Sequence, residues 1–354
     1  MPAKALLFAT SLLAAAVASA PAALAQAERD AKISFFMFAC SGSDVVPKEV
    51  IADYLKKNPK VGIDIVETTN AIIYPKMVTA RRTTPDQPLV HCGFFNADTI
   101  NRGDADDMWE TLNKANIPNM ANTLPSYARP EARGVPYQAM GIGLLYNTRV
   151  MKEPPTSWSV LWSPDSRGKI VTFDNDLRLV GLVSKLNGAD EKNPDIGFKL
   201  LSENAKNFRA LVDSNDALKN LVISGDAPIA PWFSSVSDVW IKEGSPVGFA
   251  VPKEGAIAFP IYMAIAKGVT PAQRAVCEDL LNELLTPDRA GRYALVTSSI
   301  PLVTNATLSK EQVENPILNP AIAKNAVQID FAYIATVAAD WRDRWAREIK
   351  LKMR

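Results

Sequence analysis

Residues 229–268 (IAPWFSSVSDVWIKEGSPVGFAVPKEGAIAFPIYMAIAKG) set two apolar runs, Val247 to Val251 and Ile257 to Ala266, on either side of the polar tetrad Pro252-Lys253-Glu254-Gly255. A helix-like segment with Trp232 and Trp240 and the turn Glu243-Gly244-Ser245-Pro246 lead into them. A buried strand that breaks at a polar, glycine-containing kink and resumes is the pattern of backbone crossing from one folded unit to another. Residues around the kink then line a cleft between two lobes. The chain has 354 residues, enough for two lobes of ordinary domain size.

Upstream, residues 33–95 alternate strand and helix patterns: Ile33 to Ala39, Val46 to Lys57, Val61 to Val66, a helix from Thr69-Asn70 to about Arg82, and Pro88 to Phe95. This alternation predicts an α/β fold with a parallel sheet. Ligands of such sheets sit beyond the carboxyl ends of the strands, near helix N-termini. That puts Ala39 to Asp44, including Ser41 and Ser43, and Phe94 to Thr99 at one wall of a site; helix capping alone also accounts for Ser41-Gly42-Ser43-Asp44. Helical patterns follow at Ala97 to Arg102 and Ala105 to Ala115, then a strand at Gly134 to Asn147. Gly168 to Phe173 reads as a strand, Leu177 to Leu186 and Ile196 to Val212 as helices, and a last strand of the middle region ends at Pro231. Pro271 to Thr286 is helical, and Asp330 to Leu351 is a closing helix with an aromatic core stripe.

The first 25 residues read as a cleaved export signal. Lys4 precedes an apolar run from Ala5 to Val17, and Ala23-Leu24-Ala25 supplies the small-residue cleavage site. The mature chain is expected to be soluble, in the periplasm, and monomeric. Export permits disulfides, but three cysteines leave one over. Cys40 and Cys92 each end a strand-like run and would pair if those strands are parallel neighbours; two separate thiols are the alternative. Cys277 falls in an apolar helix pattern and reads as core.

A formal net charge of +1 gives no reason to expect nucleic acid or an anionic membrane as partner. His91, the one histidine, lies in an apolar run and reads as a satisfied core residue. No metal motif, phosphate loop or nucleophilic triad can be assembled, and no cofactor is expected. Asp174 and Asp176 are a carboxylate pair of the kind glycoside hydrolysis uses, with no second acid placed opposite them. The balance favours binding over turnover.

The order of pieces resembles the periplasmic solute-binding proteins of bacterial ABC importers, in the group of polyamine and ferric-ion receptors. The signal peptide with its first strand, Gly141-Ile142-Gly143-Leu144-Leu145-Tyr146-Asn147, Ser157-Trp158 through Gly168-Lys169-Ile170, and Val251-Pro252-Lys253-Glu254-Gly255 carry it. The resemblance implies a type II two-lobe fold joined by two crossing strands, with lobe one at residues 26–142 and 262–354 and lobe two at 143–261. It also implies a small-molecule solute, an inner-membrane permease as partner, and no catalysis. Trp232 corresponds to the family's cleft aromatic and Asp176 to one acid of its Asp-x-x-Glu pattern, whereas Leu179 and Ile261 stand where further acids are usual. Two missing carboxylates disfavour a classical diamine or triamine, since a second ammonium would be buried unpaired. Isolated Tyr262 and Tyr293 disfavour iron. The expected ligand is a small organic solute with at most one cationic centre, or an anion at helix N-termini, held by Ser41, Ser43, Asp176, Trp232, Ser234, Phe259 and Tyr262. An exported sensor passing its ligand to a receptor kinase, and a secreted hydrolase using Asp174 or Asp176, are the competing readings.

Overall fold

A computed structural model describes residues 30–39 and 42–353. The expected signal segment, Cys40 and Ser41 lie outside the described residues. Strands β1 (Lys32–Phe38), β2 (Gly62–Thr68) and β3 (Cys92–Asn96) pair in parallel, with helices α1 (Val45–Lys57) and α2 (Asn70–Thr83) as crossovers. Helix α3 (Ala97–Ala105) leaves the end of β3 with Asn96 as its cap, accepting from the Thr99 amide at 2.9 Å. The pattern at 105–115 yields no helix; Trp109 instead bridges to Ala266 and donates its indole N–H to the Ile100 carbonyl.

Strand β4 (Val135–Asn147) is the spine of the molecule. Its first half, Val135 to Ile142, runs antiparallel to β9 (Ile257–Ile265), and its second half pairs with β7 (Ile229–Phe233) on one side and β8 (Val247–Ala250) on the other. The short β10 (Ile300–Pro301) completes the first half. Strands β5 (Ile170–Phe173) and β6 (Phe208–Val212) extend the second half in parallel with β7. The order β2-β1-β3-β9-β4-β7-β5-β6 is one mixed sheet whose two ends meet at a pair of antiparallel crossing strands, the two-lobe α/β architecture that the kink predicted.

The kink is clamped. The Ser157 hydroxyl and the Trp158 amide both donate to the Glu254 carboxylate, and Trp158 Nε1 donates to the Gly255 carbonyl at 2.8 Å. Two segments far apart in sequence, Ser157-Trp158 and Glu254-Gly255, thus form one fixture. Gly255 has φ 99°, and a Cβ there would lie 2.5 Å from the Asn325 carbonyl oxygen, so glycine is required.

Three further sequence expectations change. The run Ile196 to Val212 is not one helix: helices α4 (Leu177–Leu186) and α5 (Asp195–Glu203) are followed by a break at 204–207 and then β6. Asn207 fixes that break by donating its amide to the Leu161 and Ser163 carbonyls. Trp232 lies on strand β7, not in the helix; helices α6 (Asn215–Ser224) and α7 (Ser234–Lys242) flank that strand. Cys92 bonds to Cys277 of helix α8 (Pro271–Leu284), with both residues wholly buried. Cys92 begins β3, opposite Phe35 in the middle of β1, so it is not at the strand end that a pairing with Cys40 required.

Helices α9 (Pro287–Val296), α10 (Lys310–Glu314) and α11 (Ala321–Lys324) follow α8. The closing helix α12 (Phe331–Arg344) ends in a π-helical turn, Trp345–Ile349. It packs between α3 and α4. Its far end sits on the second half of the sheet: Trp341 meets Phe198 and Trp345 meets Phe208, and Arg344 pairs with Asp195 at 2.9 Å.

Candidate functional site

The parallel strands of the second half aim their carboxyl ends at α3 and α12, leaving a cleft of about 830 Å³, a volume suited to a small-molecule ligand. After β5 the chain turns tightly through Asp174-Asn175-Asp176, with Asn175 at φ 61°, and enters α4. Asp176 stands at the N-cap of that helix, but its side chain makes no capping hydrogen bond. Both its oxygens take the Arg178 fork, at 2.6 Å from Nε and 2.9 Å from Nη2, and the Thr172 hydroxyl donates at 3.2 Å. The Asp176 side chain is 1 % exposed. Burial works against the Arg178 charge, yet Asp176 beside it raises the guanidinium pKa above its ordinary value. The same guanidinium lies over the Phe233 ring.

Aromatic rings form the rest of the wall and floor. Trp232 stacks between Phe173, at 5.3 Å, and Trp240, at 6.0 Å. Phe233, Phe259 and Phe331 continue edge to face, joining β7, β9 and α12. Trp232 Nε1 and Asp174 Oδ1 are buried without a hydrogen-bond partner, while the other oxygen of Asp174 holds Lys350.

The opposite wall carries charge. Asp98 and Arg102, one turn apart on α3, form that wall, and Arg342 of α12 lines the cleft between the two walls. Enclosure by the walls pushes the Asp98 carboxyl above the ordinary carboxylate range, against the pull of Arg178, Arg102 and Arg342. Arg102 rests over the Tyr74 ring.

Of the residues expected from sequence, Asp176, Trp232 and Phe259 line this cleft. Ser234 is wholly buried behind it, its hydroxyl accepting from the Gly141 amide at 3.0 Å. The buried Ser43 hydroxyl donates to the Phe38 carbonyl, securing the turn after β1. Tyr262 faces an adjoining pocket of about 160 Å³ beneath Arg129, and burial pushes its phenol up to about 12. Leu179 and Ile261 are core residues, so neither places a polar group in the cleft. His91 accepts the Ser34 amide through Nδ1 at 2.9 Å. Sequence reasoning missed Arg102, Arg178, Phe331 and Arg342; Asp98 falls inside the wall segment Phe94 to Thr99 without having been singled out. Among the described residues no cluster of metal-ligating side chains occurs, and no helix is long and apolar enough to cross a membrane.

Fold and cleft together define a two-lobe α/β binding protein. The family model for bacterial extracellular solute-binding proteins matches residues 90–334, and the chain belongs to that family. It is 25% identical over 300 residues to spermidine/putrescine-binding periplasmic protein 1 of Haemophilus influenzae, covering 80% of this chain and 81% of the relative. The fold is similar to that of an ABC transporter protein from Clostridium perfringens, with a TM-score of 0.75 and 21% identity over 90% of this chain and 99% of that one. A spermidine/putrescine ABC transporter substrate-binding protein from Streptococcus pneumoniae superposes with a TM-score of 0.74 and 18% identity, covering 91% of this chain and 99% of that one.

Proposed function

We propose that this chain is the exported receptor of an ABC importer, capturing a small organic solute by lobe closure and presenting the closed form to a membrane permease. Closure selects between open and closed states, with the ligand bridging both walls of the cleft. The observation that carries this reading is the cleft itself, whose walls come from both ends of the sheet and meet at the crossing strands. The Cys92–Cys277 disulfide supports an oxidising compartment, in keeping with the periplasm. The lobe limits we favour are 26–142 with 262–330, and 143–261 with the closing segment from Phe331, because that segment anchors on α5 and β6.

Binding without turnover is favoured by the state of the carboxylates. Asp98 faces Asp176 across the cleft, as a hydrolase would require, but both Asp176 oxygens are occupied by Arg178. That leaves Asp176 poorly placed to activate water or attack a substrate. The same pairing argues against a classical polyamine, the ligand named for the relatives: no cleft carboxylate of β5–α4 lacks a cationic partner. Small-angle scattering tests the receptor reading. The ligand recovered with the protein should lower the radius of gyration on rebinding; an unchanged profile, or chemical conversion of that ligand, would exclude it.

A further inference from the structure

Resting on the receptor reading, we infer that the solute is a singly charged organic anion, a carboxylate on a flat apolar body, held at its head by Arg102 and Arg342. Six charged side chains line the cleft, and Lys350 pairs with one of them from outside the lining. Arg178 is fully engaged with Asp176. Asp98 is one negative charge against the two positive charges of Arg102 and Arg342, and Asp174 is answered by Lys350. The three arginines and three aspartates of the lining cancel, and Lys350 behind Asp174 leaves a surplus of one positive charge, carried by Arg102 and Arg342 on the open side.

Arg102 and Arg342 are both exposed to the cleft, and neither has a carboxylate within ion-pair distance among the described residues. A guanidinium offers five N–H donors in a planar fork that matches a carboxylate. Such charge-assisted pairs are short and strong in a partly enclosed site. Behind them the lining turns apolar, from Ile334, Ala335 and Ala338 of α12 to the Phe331–Phe259–Phe233 chain. These rings present edges and faces to a flat body, not a carboxylate cage to ammonium groups. A dication would meet two arginines without carboxylate partners and one acid, Asp98.

The test is thermal shift and calorimetry on the full mature chain with benzoate, phenylacetate, glutarate, putrescine and spermidine as probes. The wild type is compared with Arg342→Gln, Arg102→Gln and a surface control, Arg167→Gln. The aromatic monocarboxylates should raise the melting temperature by a few degrees. Arg342→Gln should weaken their binding about tenfold or more, Arg342→Lys should restore part of it, and Arg167→Gln should change nothing. Circular dichroism on each variant excludes misfolding as the cause of a loss. Stabilisation by putrescine or spermidine alone, carboxylate binding indifferent to both cleft arginines, or no response to any probe would overturn the inference. A polyamine that contracts the scattering profile would remove the anion and leave the receptor standing; a profile that no bound probe contracts would remove the receptor itself.

Discussion

Whether Asp176 serves the fold or the ligand can be read from a double-mutant cycle with Arg178. Arg178→Met strands a carboxylate whose side chain is 1 % exposed, leaving it only the Thr172 hydroxyl. Breaking a buried pair by removing one partner costs roughly 3–5 kcal/mol. Because the Arg178 side chain is 20 % exposed, solvent screening brings the expectation down to about 2–4 kcal/mol. Asp176→Asn leaves a guanidinium that can still reach cleft water, so about 1–2 kcal/mol is expected. The double variant should recover at least about 1 kcal/mol of the summed cost, the mark of groups that act as a unit. Urea denaturation followed by far-ultraviolet circular dichroism reads this directly. With an m-value near 3 kcal/mol/M, Arg178→Met should move the midpoint by about 1 M. Single costs that simply add, or an Arg178→Met protein as stable as the parent, would refute the claim that the fork is structural.

Three other perturbations probe different parts of the account. Cys92→Ala with Cys277→Ala opens a loop spanning 185 residues. Chain entropy puts that at up to about 5 kcal/mol, so differential scanning should show a melting temperature lower by about 5 °C or more; an unchanged value would mean the bond adds nothing. Burial holds the His91 pKa below 6.5, so the unfolded chain takes up that proton first. The stability His91 contributes is full above its ordinary pKa and is lost as pH falls below it. His91→Asn keeps an acceptor for the Ser34 amide, and its melting temperature should fall less than that of the wild type between about pH 7.5 and about pH 5; parallel curves would contradict this. Gly255→Ala forces a side chain to φ 99° and against the Asn325 carbonyl. It should cost about 1–3 kcal/mol in urea denaturation, and a silent substitution would mean the kink is not fixed as described.

Much of the scaffold could be read from residue order, because strand–helix alternation and a broken buried strand are local patterns. The crossing at Pro252 to Gly255 and the parallel units of residues 33–95 emerged for that reason. What escaped depends on which surfaces meet. Cys92 pairs with Cys277 because helix α8 packs over the start of β3, and spacing alone does not reveal which helix covers a strand. Ile196 to Val212 is continuous in apolar pattern, and the break between helix and strand is held by distant partners, among them the Leu161 and Ser163 carbonyls that take the Asn207 amide. Within the cleft, Trp232, Phe259 and Asp176 were legible from position in the family pattern. Arg342 was not: on an amphipathic helix with a core stripe, a polar residue off the stripe reads as solvated. It becomes a cleft residue only because α12 lies between α3 and α4.

The solute proposed for this chain is an organic anion, not a polyamine. Native mass spectrometry of the protein taken from the periplasm, before and after denaturation, tests it most directly. Release of one small molecule whose fragments contain a carboxylate and no amine is expected. Release of spermidine or putrescine would contradict it, and would mean that a polyamine is held despite the occupied Asp176 and the apolar Leu179 and Ile261.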